Sequence, residues 1–330
     1  MNPIIYKFIL AAVLSLQTVS AAESSSANEV ILIAGAGGTP EFAAEFQRSV
    51  SLWQQACTKG QNDLQVIGMG KEDAENSDFE KLRHTLQETA KQGPTPLWLV
   101  FIGHGTFDSR TAKFNLRGKD VSAVDLHDWL KSIKRPLAII NASSSSAPFI
   151  NRLSAPDRVI VTATKSGFEQ NYSRFHHSFA AAIGDPQSDL DKDGQTSLLE
   201  TFLFASHEVS EFYNAAGRLV TEHALLDDNG DGLGTRADWF RGIRPVKKAR
   251  NDAPLDGYRA HQFHLIPSTL ERQLPAVLRQ QRDQLELEVI RLRDSQTGPP
   301  DEAYFSKLEG LLLQIARIYD HPFIENKINP

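Results

Sequence analysis

At 330 residues the chain is long enough for about two domains, or for one large domain with an appendage, and so for a sizeable core. Hydrophobic residues at 41% and charged residues at 23% are ordinary globular proportions, which excludes a collagen-like, low-complexity or wholly disordered chain. The net charge of −6 and the lack of any long Lys/Arg run argue against nucleic acid as a partner, and the one cysteine, Cys57, cannot close an intramolecular disulfide.

Residues 1–22 carry Lys7, the apolar run Phe8-Ile9-Leu10-Ala11-Ala12-Val13-Leu14 and the small residues Ser20-Ala21-Ala22, the pattern of a secretory signal peptide. The run is shorter than the roughly 20 residues needed to cross a bilayer, so no membrane span is expected after cleavage. The expected location is secreted or periplasmic. Residues 23–29 follow as a flexible, Ser/Ala-rich lead-in.

From Val30 strands and helices alternate. Val30-Ile31-Leu32-Ile33-Ala34 is a continuous apolar run of the kind buried on both faces of a sheet. Phe42, Phe46, Val50, Trp53 and Cys57 then mark one helical face, on which Cys57 is a small buried hydrophobe. Gln65 to Met69 suggests a second strand, and Phe79, Leu82 and Leu86 a second helix that Gly93 and Pro94 stop. Leu97 to Ile102 is the clearest buried strand and runs into Gly103-His104-Gly105. A polar hairpin is expected over 106–118, then a helix capped by Ser122. Strands over 136–140 and 158–163 come next, then helices over 175–183 and from Leu198 to about Asn214, with a last strand over 262–265. This order implies a mostly parallel sheet covered by helices on both faces. The α/β domain is placed at 30–267. Residues 268–330 form a helical hairpin, one long helix with Pro275 in its first turns and a second after Gly298-Pro299-Pro300; its apolar stripes pack on the domain or make an oligomer contact.

In an open parallel sheet, reactive groups collect beyond the carboxyl ends of the strands. Two such ends are Gly103-His104-Gly105 and Asn141-Ala142-Ser143-Ser144-Ser145-Ser146. An imidazole there can take a proton from a nucleophile, and a glycine lets its amide approach an oxyanion. By itself G-H-G is equally a tight turn with a structural histidine. The segment Gly35-Ala36-Gly37-Gly38 does not fit a dinucleotide fingerprint, because Pro40-Glu41 falls where the third glycine belongs.

Over roughly Val30 to Ala163 this arrangement resembles the legumain and caspase-like cysteine peptidases. The resemblance is carried by Ala34-Gly35-Ala36-Gly37-Gly38 after the first strand, His104-Gly105 after one later strand and Ala142-Ser143 after the next. It implies a caspase-like three-layer α/β/α sandwich, His104 as catalytic histidine, Gly105 as oxyanion-hole amide, Ser143 at the nucleophile position, and a peptide or protein as substrate or ligand. Serine stands where the family has its thiol. A thiol can be made a thiolate by a neighbouring imidazolium, whereas an aliphatic hydroxyl needs a placed and oriented base; Asp108 is near His104 in sequence, with nothing to show that it serves. The chain is therefore either a Ser/His hydrolase or a homologue with weak or lost peptidase activity that keeps the groove, the balance leaning toward the second.

The most specific motif is Asp189-Leu190-Asp191-Lys192-Asp193-Gly194-Gln195-Thr196-Ser197-Leu198-Leu199-Glu200, which matches a twelve-residue EF-hand calcium loop. Asp189, Asp191 and Asp193 supply carboxylates, Gln195 its backbone carbonyl, Ser197 a hydroxyl or bridged water, and Glu200 two oxygens. A second loop, 227–238, repeats the first half with Asp227, Asn229 and Asp231 and ends in Asp238, a shorter side chain than glutamate. It reads equally as a metal loop or as an acidic turn. Calcium is the expected cofactor, fastening the segment after the 158–163 strand in place of disulfides. His223 and the pair His176-His177 are expected to be structural.

Overall fold

The computed structural model describes residues 27–71, 76–90, 95–246 and 255–320. The signal peptide and the Gly93-Pro94 stop lie outside the described residues. The first half runs β1 (Glu29–Ala34), α1 (Pro40–Gly60), β2 (Asp63–Ile67), α2 (Asp78–Thr89), β3 (Leu97–Ile102), a small antiparallel sheet of β4 (Gly105–Phe107), β5 (Ala112–Phe114) and β6 (Val121–Ser122), α3 (Ala123–Leu130) and β7 (Leu137–Asn141). The second half continues with α4 (Pro148–Leu153), β8 (Arg158–Thr162), α5 (Phe175–Ala182), α6 (Leu198–Ala215), β9 (Leu225–Asp227) and β10 (Thr235–Arg236). A short β11 (Phe240–Arg241) and β12 (Arg244–Pro245) ribbon, α7 (Tyr258–His261), α8 (Thr269–Gln273), α9 (Ala276–Asp294) and α10 (Glu302–Tyr319) complete it.

The main sheet has seven strands in the order β10-β9-β8-β7-β3-β1-β2. From β2 to β8 the strands are parallel, and β9 and β10 extend the far edge antiparallel. Both faces are covered, as the unbroken apolar runs require. Side chains alternate across the sheet, so Val30, Leu32, Trp98, Val100 and Ile102 join the cluster under α1, α5 and α6. Ile31, Ile33, Leu97, Leu99 and Phe101 join the opposite cluster under α2, α3 and α4. The result is a mixed three-layer α/β/α fold, as the sequence predicts.

Local chemistry sets the element ends. Thr39 caps α1 by accepting from Phe42 N–H, Pro40 opens it, and Gln61 closes it at φ +58. Phe46, Val50, Trp53 and Cys57 are buried, and burial pushes the Cys57 thiol up to about 12. Ser122 caps α3 in a reciprocal box with Asp125.

Three boundaries differ from expectation. β1 begins at Glu29, because Asn28 is already held, its backbone N–H and side-chain amide both donating to Asn62 Oδ1 at 3.0 and 3.1 Å. Residues 262–265 are no strand: Phe263 O accepts from Leu198 N–H beside a single bridge of His264 to Ser197, while His264 O accepts from Asn28 Nδ2 and Leu265 O from Asn62 Nδ2. The long C-terminal helix is split into α8 and α9, since Pro275 holds Leu274 extended at φ −71, ψ 121. The hairpin packs on the domain, where Arg272 donates to Gly60 O and Lys59 O at the end of α1.

Behind the sheet's upper edge, His176 shares hydrogen bonds with Ser49 Oγ at 2.8 Å and Tyr172 OH at 2.7 Å. Burial first, then neighbouring positive groups, brings its pKa down to about 3. The fold therefore holds His176 neutral, while the unfolded chain protonates near pH 6.5. The stability this contributes is present above pH 6.5 and is lost as pH falls toward 3. Comparing urea unfolding near pH 7 and near pH 5, the stability advantage of the parent over His176→Gln should shrink at the lower pH. Separately, Asn62→Ala should cost about 1–3 kcal/mol in the same assay at neutral pH, because it strands the partners of a three-way tie.

Candidate functional site

β3 and β7 are parallel neighbours in the register Phe101 to Asn141, so the loops that leave them share one rim. The approach is close. A Cβ at Gly105 would lie 2.2 Å from Ser144 O and 2.8 Å from Ser143 Oγ, which only glycine avoids. Gly105 N–H donates to Ser144 Oγ at 3.1 Å, and that hydroxyl donates back to Gly105 O at 3.1 Å. Ser143 is fully buried, its Oγ donating to Asn141 Oδ1 at 2.6 Å. Ser146 Oγ pairs with Thr164 Oγ1 at 3.2 Å and accepts from Ala163 N–H.

His104 is half-buried, with Nε2 3.3 Å from Gly37 O. Its ring stands edge-on to Phe42 and Phe46, at centroid distances of 4.9 and 5.1 Å, with Tyr172 at 6.2 Å. Burial lowers its pKa, partly offset by the Gly37 carbonyl. Among the described residues, no hydrogen bond joins His104 to Ser143. Asp108 is exposed and accepts from the N–H groups of Arg110 and Thr111 in the hairpin turn. The structure thus brings the His104 and Ser143 loops together without forming a nucleophile–base pair. No local signal in the serine run foretells that Ser144 occupies the Gly105 amide.

The first acidic loop turns on hydrogen bonds from its own backbone N–H groups to its carboxylates. Asp189 accepts from Lys192 and Gly194 N–H, Asp191 from Asp193 N–H, and Asp193 from Gln195 N–H. Lys192 and Gly194 take φ +64 and +90 to make the turns. Carboxylate oxygens of Asp189, Asp191 and Asp193 lie within 4.8 Å of one another, as do ligand atoms of Asp191, Glu200 and His261. Gln195 Oε1 accepts from Ser268 N–H, which leaves its backbone carbonyl for the loop. Ser197 and Glu200 form a capping box at the start of α6. Burial raises the pKa of Asp193, with Asp191 and Asp189 adding to the effect. This set of hard oxygen donors fits calcium. His261, from α7, reaches Asp191 Oδ2 at 3.0 Å and was not foreseeable from the loop spacing.

In the second loop, Asp227 accepts from Gly230 N–H, Asn229 from Asp231 N–H and Asp231 from Leu233 N–H. Asp238 does not follow the expected pattern: it is exposed in a short 3-10 turn over 237–239 and pairs with Arg236 at 3.1 Å. Burial pushes Asp227 up to about 6 and Asp256, an acid from outside the loop, up to about 8, the latter aided by the Asp228 charge. His223 is structural, as expected, held by Glu169 at 2.6 Å. No helix among the described residues is long and apolar enough to cross a membrane.

No family model matches the sequence, and no curated protein matches it. Among solved structures, the chain is similar to the Drosophila initiator caspase Dronc, at 12% identity and a TM-score of 0.42, over 72% of this chain and 95% of that one. It is also similar to caspase-1 from Spodoptera frugiperda, at 9% identity and a TM-score of 0.40, over 61% of this chain and 86% of that one. Likeness at these scores says nothing of residue roles, and the α/β/α assignment stands on strand order and the two buried faces.

Gly105→Ala tests the closeness of the rim. Its methyl would meet backbone oxygen rather than a movable side-chain end, so the variant should lose about 1–3 kcal/mol or more in urea unfolding.

Proposed function

We propose that this chain is a peptidase-related α/β/α protein that has lost peptide turnover, exported to a calcium-rich compartment and held together in its second half by calcium at residues 189–200. One observation carries the first part: Ser143 Oγ is buried and committed to Asn141, while Ser144 Oγ takes the Gly105 amide. Acyl transfer needs a hydroxyl within hydrogen-bond reach of a base and an amide donor available to the developing oxyanion. Here the Ser143 hydroxyl is committed to its own strand end and the Gly105 amide to Ser144.

What the rim offers is a binding surface for a peptide or protein partner. Phe168 is 69% exposed at the mouth of the loop after β8 and rests edge-on against Phe107. The aromatic group of Phe42, Tyr172 and His104 lies at the same end of the sheet. An exposed aromatic beside a rigid rim suits capture of an extended peptide.

The calcium part is supported by the donor set of the first loop, and export by the leader in residues 1–22. Weak sites, of about 10⁻⁴ to 10⁻³ M, suffice where the ion is plentiful.

A serine-directed phosphonate should leave the folded protein unlabelled, and His104→Ala and Ser143→Ala should change nothing in that assay. Stoichiometric labelling of the parent that Ser143→Ala abolishes would overturn the noncatalytic reading. Excess chelator should lower the melting temperature of the parent by more than that of Glu200→Gln; an equal melt of the parent with and without chelator removes the calcium role.

A further inference from the structure

The second acidic loop lacks a useful twelfth residue in sequence, yet a carboxylate stands in that place. In the first loop, Glu200 Oε1 accepts from the N–H groups of Leu190 and Asp191, the second and third positions, at 2.7 and 3.2 Å. Its Oε2 accepts from Ser197 Oγ, the ninth, at 2.8 Å. In the second loop, Asp256 Oδ1 accepts from the N–H groups of Asp228 and Asn229, again the second and third positions, at 2.9 and 3.2 Å. Its Oδ2 accepts from Thr235 Oγ1, again the ninth, at 2.6 Å. The two loops also share left-handed backbone at positions four and six, with Gly230 and Gly232 at φ +81 and +76. We infer that Asp256 completes a second divalent-cation site with Asp227, Asn229 and Asp231, a calcium site closed by a residue from a distant segment of the chain.

A separate observation points to the ion. Asp227, at the first position, is 1% exposed, and its Oδ2 has no hydrogen-bond partner. Ser154 Oγ stands beside it and lowers its pKa, but as a neutral hydroxyl it brings no cation. Asp256 is equally buried, and Asp228 nearly so. Buried carboxylates are stable only when paired, protonated or bound to a metal. Asp228 is answered by the N–H groups of Gly257 and Ala260, at 3.0 and 2.8 Å, and by the charge of Arg259. Asp227 and Asp256 have no such cation among the described residues. An oxygen-only donor set of this kind selects a hard ion such as calcium.

The arrangement also explains how a distant aspartate is held in register. Asp228 points away from the loop's ligands and fixes the start of α7, and that fixes Asp256 two residues before it. The same short helix ends in His261 against the first loop.

Calcium titration of the chelator-stripped full chain by calorimetry tests this. The parent should bind two ions, Glu200→Gln one, Asp256→Asn one and Asp238→Asn two. Asp231→Ala, at an exposed ligand position where the oxygen donor is removed without disturbing the core, should also bind one; it carries the test if Asp256→Asn fails to fold by circular dichroism. Two ions retained by Asp231→Ala or by folded Asp256→Asn, or one lost from Asp238→Asn, would overturn the assignment. A parent that binds a single ion abolished by Glu200→Gln defeats the second site and leaves the first. A single ion kept by Glu200→Gln and lost in Asp231→Ala defeats the first and leaves the second. No binding by the parent defeats both.

Discussion

The central strands are buried on both faces, so every polar group at their ends must find its partner inside the protein. That constraint governs the rim. Asn141 accepts from Ser143, Ser144 exchanges hydrogen bonds with Gly105, and Ser146 bridges to Thr164 and Ala163. Each of these hydroxyls is worth about 1 kcal/mol as a net contribution and more as a penalty if left unmatched. A serine run in that position thus serves as internal cement.

The matching is not complete. Asn141 Nδ2 and Ser145 Oγ are buried without partners, and Ser145 sits at φ +54. These are neutral groups, whose isolation costs about 1–3 kcal/mol each. An isolated buried carboxylate costs several. The same kind of accounting therefore has different consequences at the two ends of the molecule: the rim tolerates its unmatched amide and hydroxyl, while the acidic loops demand either protons or a cation.

Those loops lie where the sheet stops being parallel. β9 runs antiparallel along β8 into the second loop, and α6 starts from the first. Nothing covalent staples this half, since Cys57, on α1, is buried and the rest of the chain has no cysteine. The polar ties that remain are few and specific: Glu222 accepts from the start of α5, Asn62 from Asn28, and Asp228 from the start of α7. The C-terminal hairpin adds a modest cluster of Leu274, Leu285 and Ile318 and the Arg282 guanidinium set between Glu271 and Asp283.

The sequence by itself determined the layered sheet, because apolar runs such as Leu97 to Ile102 and the three- and four-residue spacing of Phe46, Val50, Trp53 and Cys57 are local signals of burial. It also sets the acidic residues of the 189–200 loop at fixed intervals along twelve residues. Only the tertiary structure decided that Ser144 exchanges hydrogen bonds with Gly105, since that partner comes from the end of another strand. It likewise decided the break at Pro275's neighbour from a continuous helix, the carbonyl pairing of His264 and Leu265, and the seating of Asp256 on the backbone N–H groups of Asp228 and Asn229. Local spacing cannot encode a partner that arrives from a separate segment, held in place by contacts made elsewhere in the fold.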